Sequence, residues 1–119
     1  MKYMCLIYSP PMENEPTEPG TPEFEAMMAP WIAFNEMVEK AGVSLGGDAL
    51  LPVQTATTVR VRGGKTEMMD GPFAETKEQL GGYYIFECKD LDEALKYASQ
   101  IPVHEYGSVE VRPIMDFEA

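Results

Sequence analysis

His104 is the only histidine in the sequence, and histidine is the side chain whose ordinary pKa lies near neutrality. It is therefore the default general base if this chain does acid–base chemistry, and an ordinary loop residue if it does not. Asp70 stands directly before Gly71-Pro72, where a carboxylate either closes a turn by accepting a backbone N–H two residues on, or stands at a cleft rim as an acid. Lys77 follows Glu75 by two positions. In a partly desolvated site such a pair shifts each other's pKa and supplies acid and base, whereas on a wet surface it is only a solvated face. Asp70, His104 and Lys77 are thus the catalytic candidates.

Tyr83 and Tyr84 are neighbours on a strand-like run and must point to opposite faces, so one of them at most reaches a shared cavity as a donor. Glu110 and Arg112 alternate along another such run and share one face. A guanidinium there would bind a carboxylate or phosphate through its planar fork. Tyr83, Glu110 and Arg112 are accordingly the ligand-binding candidates. A working site should bring Asp70 together with at least one of Lys77, Tyr83, His104 and Arg112 around one cavity. A metal is not expected, since two cysteines without CxxC spacing and one histidine form no ligand cluster, and no cofactor is assigned.

With 119 residues the chain reads as one domain over 1–119, too small for separate cofactor and substrate domains. Its 45% hydrophobic and 24% charged content is that of a folded globular protein. Nine Lys and Arg against twenty Asp and Glu give a net charge of -11, a field that repels nucleic-acid backbones and anionic membranes. Apolar runs fall short of the roughly 20 residues that a membrane helix needs. A cytoplasmic protein is expected, with Cys5 and Cys88 as buried free thiols inside strand-like runs.

The elements that must position these residues follow from pattern. Lys2 to Tyr8 is an unbroken β-branched and aromatic strand ended by Ser9-Pro10-Pro11, and 10–20 is a Pro/Glu-rich loop. Thr21 caps a helix with Pro22 at its first position. Its apolar stripe runs through Phe24, Met27, Met28, Trp31, Phe34 and Val38, Gly42 ends it, and Pro30 should kink or restart it. The Gly46-Gly47 pair and Pro52 bracket a connecting segment. Thr57 to Arg62 alternates as a half-buried strand, Gly63-Gly64 makes a two-residue turn, and the return arm should pair Arg62 with Lys65 and Arg60 with Glu67.

A turn-rich stretch over 70–82 follows, with Gly71 and Pro72 as shape elements and Phe73 as a core plug. Tyr83 to Cys88 is the next strand. A second helix starts at Asp90, with Glu93 completing a capping-box pattern, and is stopped by Pro102. Gly107 to Arg112 is the last strand. This order predicts an α+β ferredoxin-like sandwich with an extra β-hairpin and both helices on one sheet face. The opposite face would expose an apolar patch, which face-to-face pairing of two copies removes from water.

The run from Asp70 through Gly71-Pro72-Phe73-Ala74-Glu75-Thr76-Lys77-Glu78-Gln79-Leu80-Gly81-Gly82 to Tyr83 resembles the signature of the DGPF branch of the YCII-related proteins. The similarity extends to Leu91-Asp92-Glu93-Ala94, to Gly107 through Pro113, to the opening strand and to Ala33-Phe34-Asn35. The resemblance implies a dimeric α/β-barrel. It also implies one of two roles. One is a cofactor-independent small-molecule enzyme of lyase, isomerase or dehalogenating type. The other is a non-catalytic ligand-binding or regulatory domain beside an extracytoplasmic-function sigma factor. A related branch holds a dehydrochlorinase with a His-Asp pair whose His follows the first strand. The stretch from Ser9 to Trp31 here contains no histidine, so that pair is not carried over.

Overall fold

A computed structural model describes residues 1–11 and 18–118, so the middle of the Pro/Glu-rich loop expected over 10–20 lies outside the described residues. The chain is α+β. Strands β1 (Lys2–Ser9), β2 (Ser44–Ala49), β5 (Gln79–Glu87) and β6 (Ser108–Pro113) form one antiparallel sheet in the order β2-β5-β1-β6. Helices α1 (Pro22–Lys40) and α2 (Leu91–Ala98) cover one face of it. Among the described residues, strands β3 (Thr57–Arg62) and β4 (Lys65–Asp70) pair only with each other, after a 3-10 turn at Val53–Thr55. The single chain forms an open sheet and does not close into a barrel.

The core lies between the sheet and the helices. Tyr3, Cys5 and Ile7 alternate inward from β1, Phe86 does so from β5, and Phe34 and Val38 meet them from α1. Phe34 packs edge-on to Tyr84 with ring centroids 5.2 Å apart, and Tyr84 stacks on Phe86 at 5.6 Å. Both cysteines are buried and free, as expected. Burial and then the neighbouring Cys88 push the Cys5 thiol up to about 11.

Local signals placed both helix starts. The Thr21 hydroxyl accepts from Phe24 N at 3.2 Å, and the Asp90 carboxylate accepts from Glu93 N at 2.9 Å. The return contact of the second box comes one residue early, since Glu93 accepts from the N–H of Lys89 at 3.1 Å. Pro30 does not restart α1, which runs unbroken from Pro22 to Lys40. Pro30 and Ala26 are both exposed, so the carbonyl left without a helical donor faces water. The helix ends at Gly42 with φ 74°, a backbone conformation that favours glycine.

Three further expectations are corrected. The segment around Gly46-Gly47 is not a connection but edge strand β2, with a bulge between Ser44 and Gly46. Its glycines hid it, because glycine carries no strand propensity. Gly47 is nevertheless required there: an added Cβ would sit 2.5 Å from the Tyr83 carbonyl and 2.8 Å from Cδ1 of the Tyr84 ring. Strand β5 begins at Gln79, four residues before its aromatic run. Phe73 is 73% exposed and plugs nothing: it lies in the loop between β4 and β5.

Candidate functional site

The sheet face away from the helices carries the polar groups that the fold brings together. Register sets them in two cross-strand rows. In one, Asp48 (β2), Tyr83 (β5), Leu6 (β1) and Glu110 (β6) stand side by side. In the next, Ile85, Met4 and Arg112 do so. Met4, Leu6, Tyr83 and Ile85 are half-buried, while Glu110 and Arg112 on the edge strand are more open to water. The face is therefore an apolar floor with a hydroxyl and carboxylate at one side and a carboxylate and guanidinium at the other.

At the first side the Tyr83 hydroxyl donates to Asp48 Oδ2 at 2.8 Å. That hydrogen bond first, and then the negative charge of Asp48, raise the Tyr83 pKa above its ordinary 10.0, so the hydroxyl keeps its proton. Tyr84 points the other way, as the alternation requires. Its hydroxyl donates to Asn35 Oδ1 at 2.6 Å, and burial raises its pKa. At the second side Glu110 and Arg112 occupy alternate positions of β6 and form no ion pair with each other. Glu110 is two strands from Tyr83, roughly 10 Å across the sheet, so Tyr83–Asp48 is the acid–base pair in hydrogen-bond reach on this face.

The other candidates stand elsewhere. Asp70 is exposed at the end of β4 opposite Thr57, and its side chain makes no hydrogen bond or ion pair among the described residues. Lys77 is exposed in the loop before β5. His104 is half-buried between α2 and β6, where Nδ1 accepts from Tyr106 N at 3.1 Å and its carbonyl accepts from Gly107 N at 2.7 Å. Those contacts shape a turn. Tyr83, Glu110 and Arg112 thus share one face, and Asp70, Lys77 and His104 do not join them. No group of three or more His, Cys, Asp or Glu able to hold a metal occurs among the described residues.

A concavity between α2 and β6 is lined by Leu95, Ala98, Ile101, Val103, Val109 and Val111, and none of the candidate residues reaches it. Sequence reasoning missed Asp48. The signal was its place one residue after the Gly46-Gly47 pair, but this becomes informative only when 44–49 is known to be a strand paired with β5. It also missed Ser108, whose hydroxyl donates to Glu78 Oε1 at 2.9 Å and ties the loop before β5 to the start of β6.

The model of the YCII-related domain matches residues 1–118. The chain belongs to the YCII-related family. It is also 41% identical over 117 residues to an uncharacterized protein of Rhizobium meliloti (strain 1021), a match covering 96% of this chain and 92% of that protein. No helix among the described residues of this YCII-related chain is long and apolar enough to cross a membrane.

Proposed function

We propose that this YCII-related chain works as a homodimer whose two open sheet faces close over a small-molecule site, and that it binds its ligand there without transforming it. The supporting observation is the face itself: an apolar floor of Met4, Leu6 and Ile85 bordered by Tyr83–Asp48 and by Glu110 and Arg112. The strand order β2-β5-β1-β6 is that of a ferredoxin-like sandwich with one inserted hairpin, which supports the dimeric α/β-barrel of the DGPF branch. Arg112 is the anchor for an anionic group and Tyr83 a hydroxyl donor. The expected ligand is a small, largely apolar anion.

The non-catalytic reading is preferred because Asp70, Lys77 and His104 stand away from this face. A regulatory role beside an extracytoplasmic-function sigma factor rests on the DGPF resemblance alone. The enzymatic reading, of lyase, isomerase or dehalogenating type, is favoured by the Tyr83–Asp48 pair, in which a protonated hydroxyl can donate to a developing oxyanion. Buried free thiols suit a reducing, cytoplasmic setting.

Light scattering at micromolar concentration should give a dimer, and Leu6→Asp should give a monomer. The fluorescent apolar anion anilinonaphthalene sulfonate should bind the wild type, bind Arg112→Ala about tenfold more weakly, and lose its site in Leu6→Asp. A clean wild-type monomer, or dye binding indifferent to both substitutions, would overturn the proposal.

A further inference from the structure

The β3–β4 hairpin has a strand pair's local order without its cover. Six cross-strand pairs run from Thr57–Asp70 to Arg62–Lys65, closed by Gly63 and Gly64 with φ 59° and 77°. An isolated two-stranded hairpin is marginal in water and needs a third strand or a packed face. Among the described residues its hydrogen bonds outside the strand pair are at its base, where Gly71 N donates to the Ala56 carbonyl at 2.7 Å and the Thr58 hydroxyl to the Gly71 carbonyl at 2.8 Å. Beyond the base, among the described residues, its most extensive contact is between its own two strands, and it makes no comparable contact with the sheet or the helices. The radius of gyration, 16.6 Å, exceeds the roughly 13.5 Å expected of a compact chain of this length.

Its two faces differ in chemistry. Register puts Val59 and Met68 opposite each other with Val61 beside them, and they are 61%, 74% and 63% exposed. This is a core-type face with nothing on it. The other face holds Arg60, Arg62 and Lys65, three of the nine basic residues in the chain. Arg62 and Lys65 stand directly opposite, a like-charge pair that costs stability unless an anion lies near. None of the three makes an ion pair among the described residues.

We propose that the β3–β4 hairpin is an arm that docks on a second copy of the chain, Val59, Val61 and Met68 making the contact and Arg60, Arg62 and Lys65 drawing it to an acidic body. The occupant follows from charge. Two copies at -11 each repel one another, and the rest of the chain holds all but two, Glu67 and Asp70, of the twenty acidic residues. A locally basic, apolar projection is what such a body attracts, and its own fold offers it no place to lie. A nucleic-acid partner is disfavoured by the same net charge. The arm shares the homodimer with the reading above but assigns it a second surface, distinct from the sheet face that carries Leu6.

Sedimentation velocity on the full chain tests this with Val61→Asp, Arg62→Glu and Leu6→Asp, alongside hydrogen exchange at amides 59–68 over a concentration series. Val61→Asp should raise the dimer dissociation constant on the order of 100-fold without changing the monomer's melting temperature. Arg62→Glu should raise it on the order of tenfold, less at high salt. Protection at 59–68 should rise with concentration. A wild-type monomer at all concentrations overturns the arm. So does a Val61→Asp dimer of unchanged affinity, and if Leu6→Asp alone dissociates the dimer the sheet-face reading stands without it. Dissociation by Val61→Asp but not by Leu6→Asp supports the arm and removes the sheet-face reading.

Discussion

The sheet and the hairpin are both built from antiparallel strands, yet β1 and β5 bury Tyr3, Cys5, Ile7 and Phe86 while no residue of β3 or β4 is fully buried. Both regions alternate and both are antiparallel, the hairpin with an unbroken register and the sheet with a shift between Ile7 and Tyr8. The difference is cover. In the sheet, α1 and α2 lie on one face, so alternation becomes burial. On the hairpin the same alternation leaves Val59, Val61 and Met68 in water. Strand pattern therefore reports which side chains share a face, and only the packing decides whether that face becomes core.

The sharpest way to break this comparison is to truncate one residue in each region. Phe86→Ala, at a fully buried position, should cost the monomer about 3–5 kcal/mol in urea unfolding, and Val61→Ala should stay within about 0.5 kcal/mol. Comparable losses would mean that the hairpin is covered within the single chain. A smaller effect is expected at the hairpin base. Gly71 has φ 90° and open space around it, so Gly71→Ala should cost roughly 1–2 kcal/mol from backbone strain alone, read as a lowered melting temperature. Unchanged melting would show that the base relaxes independently of the sheet.

A further effect belongs to the core and is read by pH. The folded Cys5 thiol sits at about 11 against 9.0 when unfolded, so the unfolded chain loses its proton first as pH rises. The contribution is fully present below pH 9.0 and is lost as pH rises towards about 11. Chemical denaturation of the wild type should weaken over that window, and Cys5→Ala should flatten the decline. An identical slope in the variant would place the titration elsewhere.

Much of the molecule is legible in short stretches of its sequence. Thr21 and Asp90 mark helix starts because an oxygen at that position satisfies free backbone N–H groups locally. The Gly63-Gly64 hairpin and its pairing of Arg60 with Glu67 follow from turn geometry alone. The opposite directions of Tyr83 and Tyr84 follow from the two-residue strand period. All of these depend on neighbours within a few residues.

Other features depend on distant neighbours. Strand β2 is invisible locally because Gly47 is there for the backbone and ring of β5, far along the chain, and Gly46 for a bulge with φ 135°, not for strand propensity. The Tyr83–Asp48 hydrogen bond was hidden with it. Phe73 read as core because it is a large apolar side chain, and it is exposed in the loop between β4 and β5. Which residues cap, turn and alternate is written in the chain, since those are short-range hydrogen-bond and steric matters. Which strands became neighbours and which faces were covered came only with the folded arrangement, because pairing and burial are settled between segments far apart in sequence.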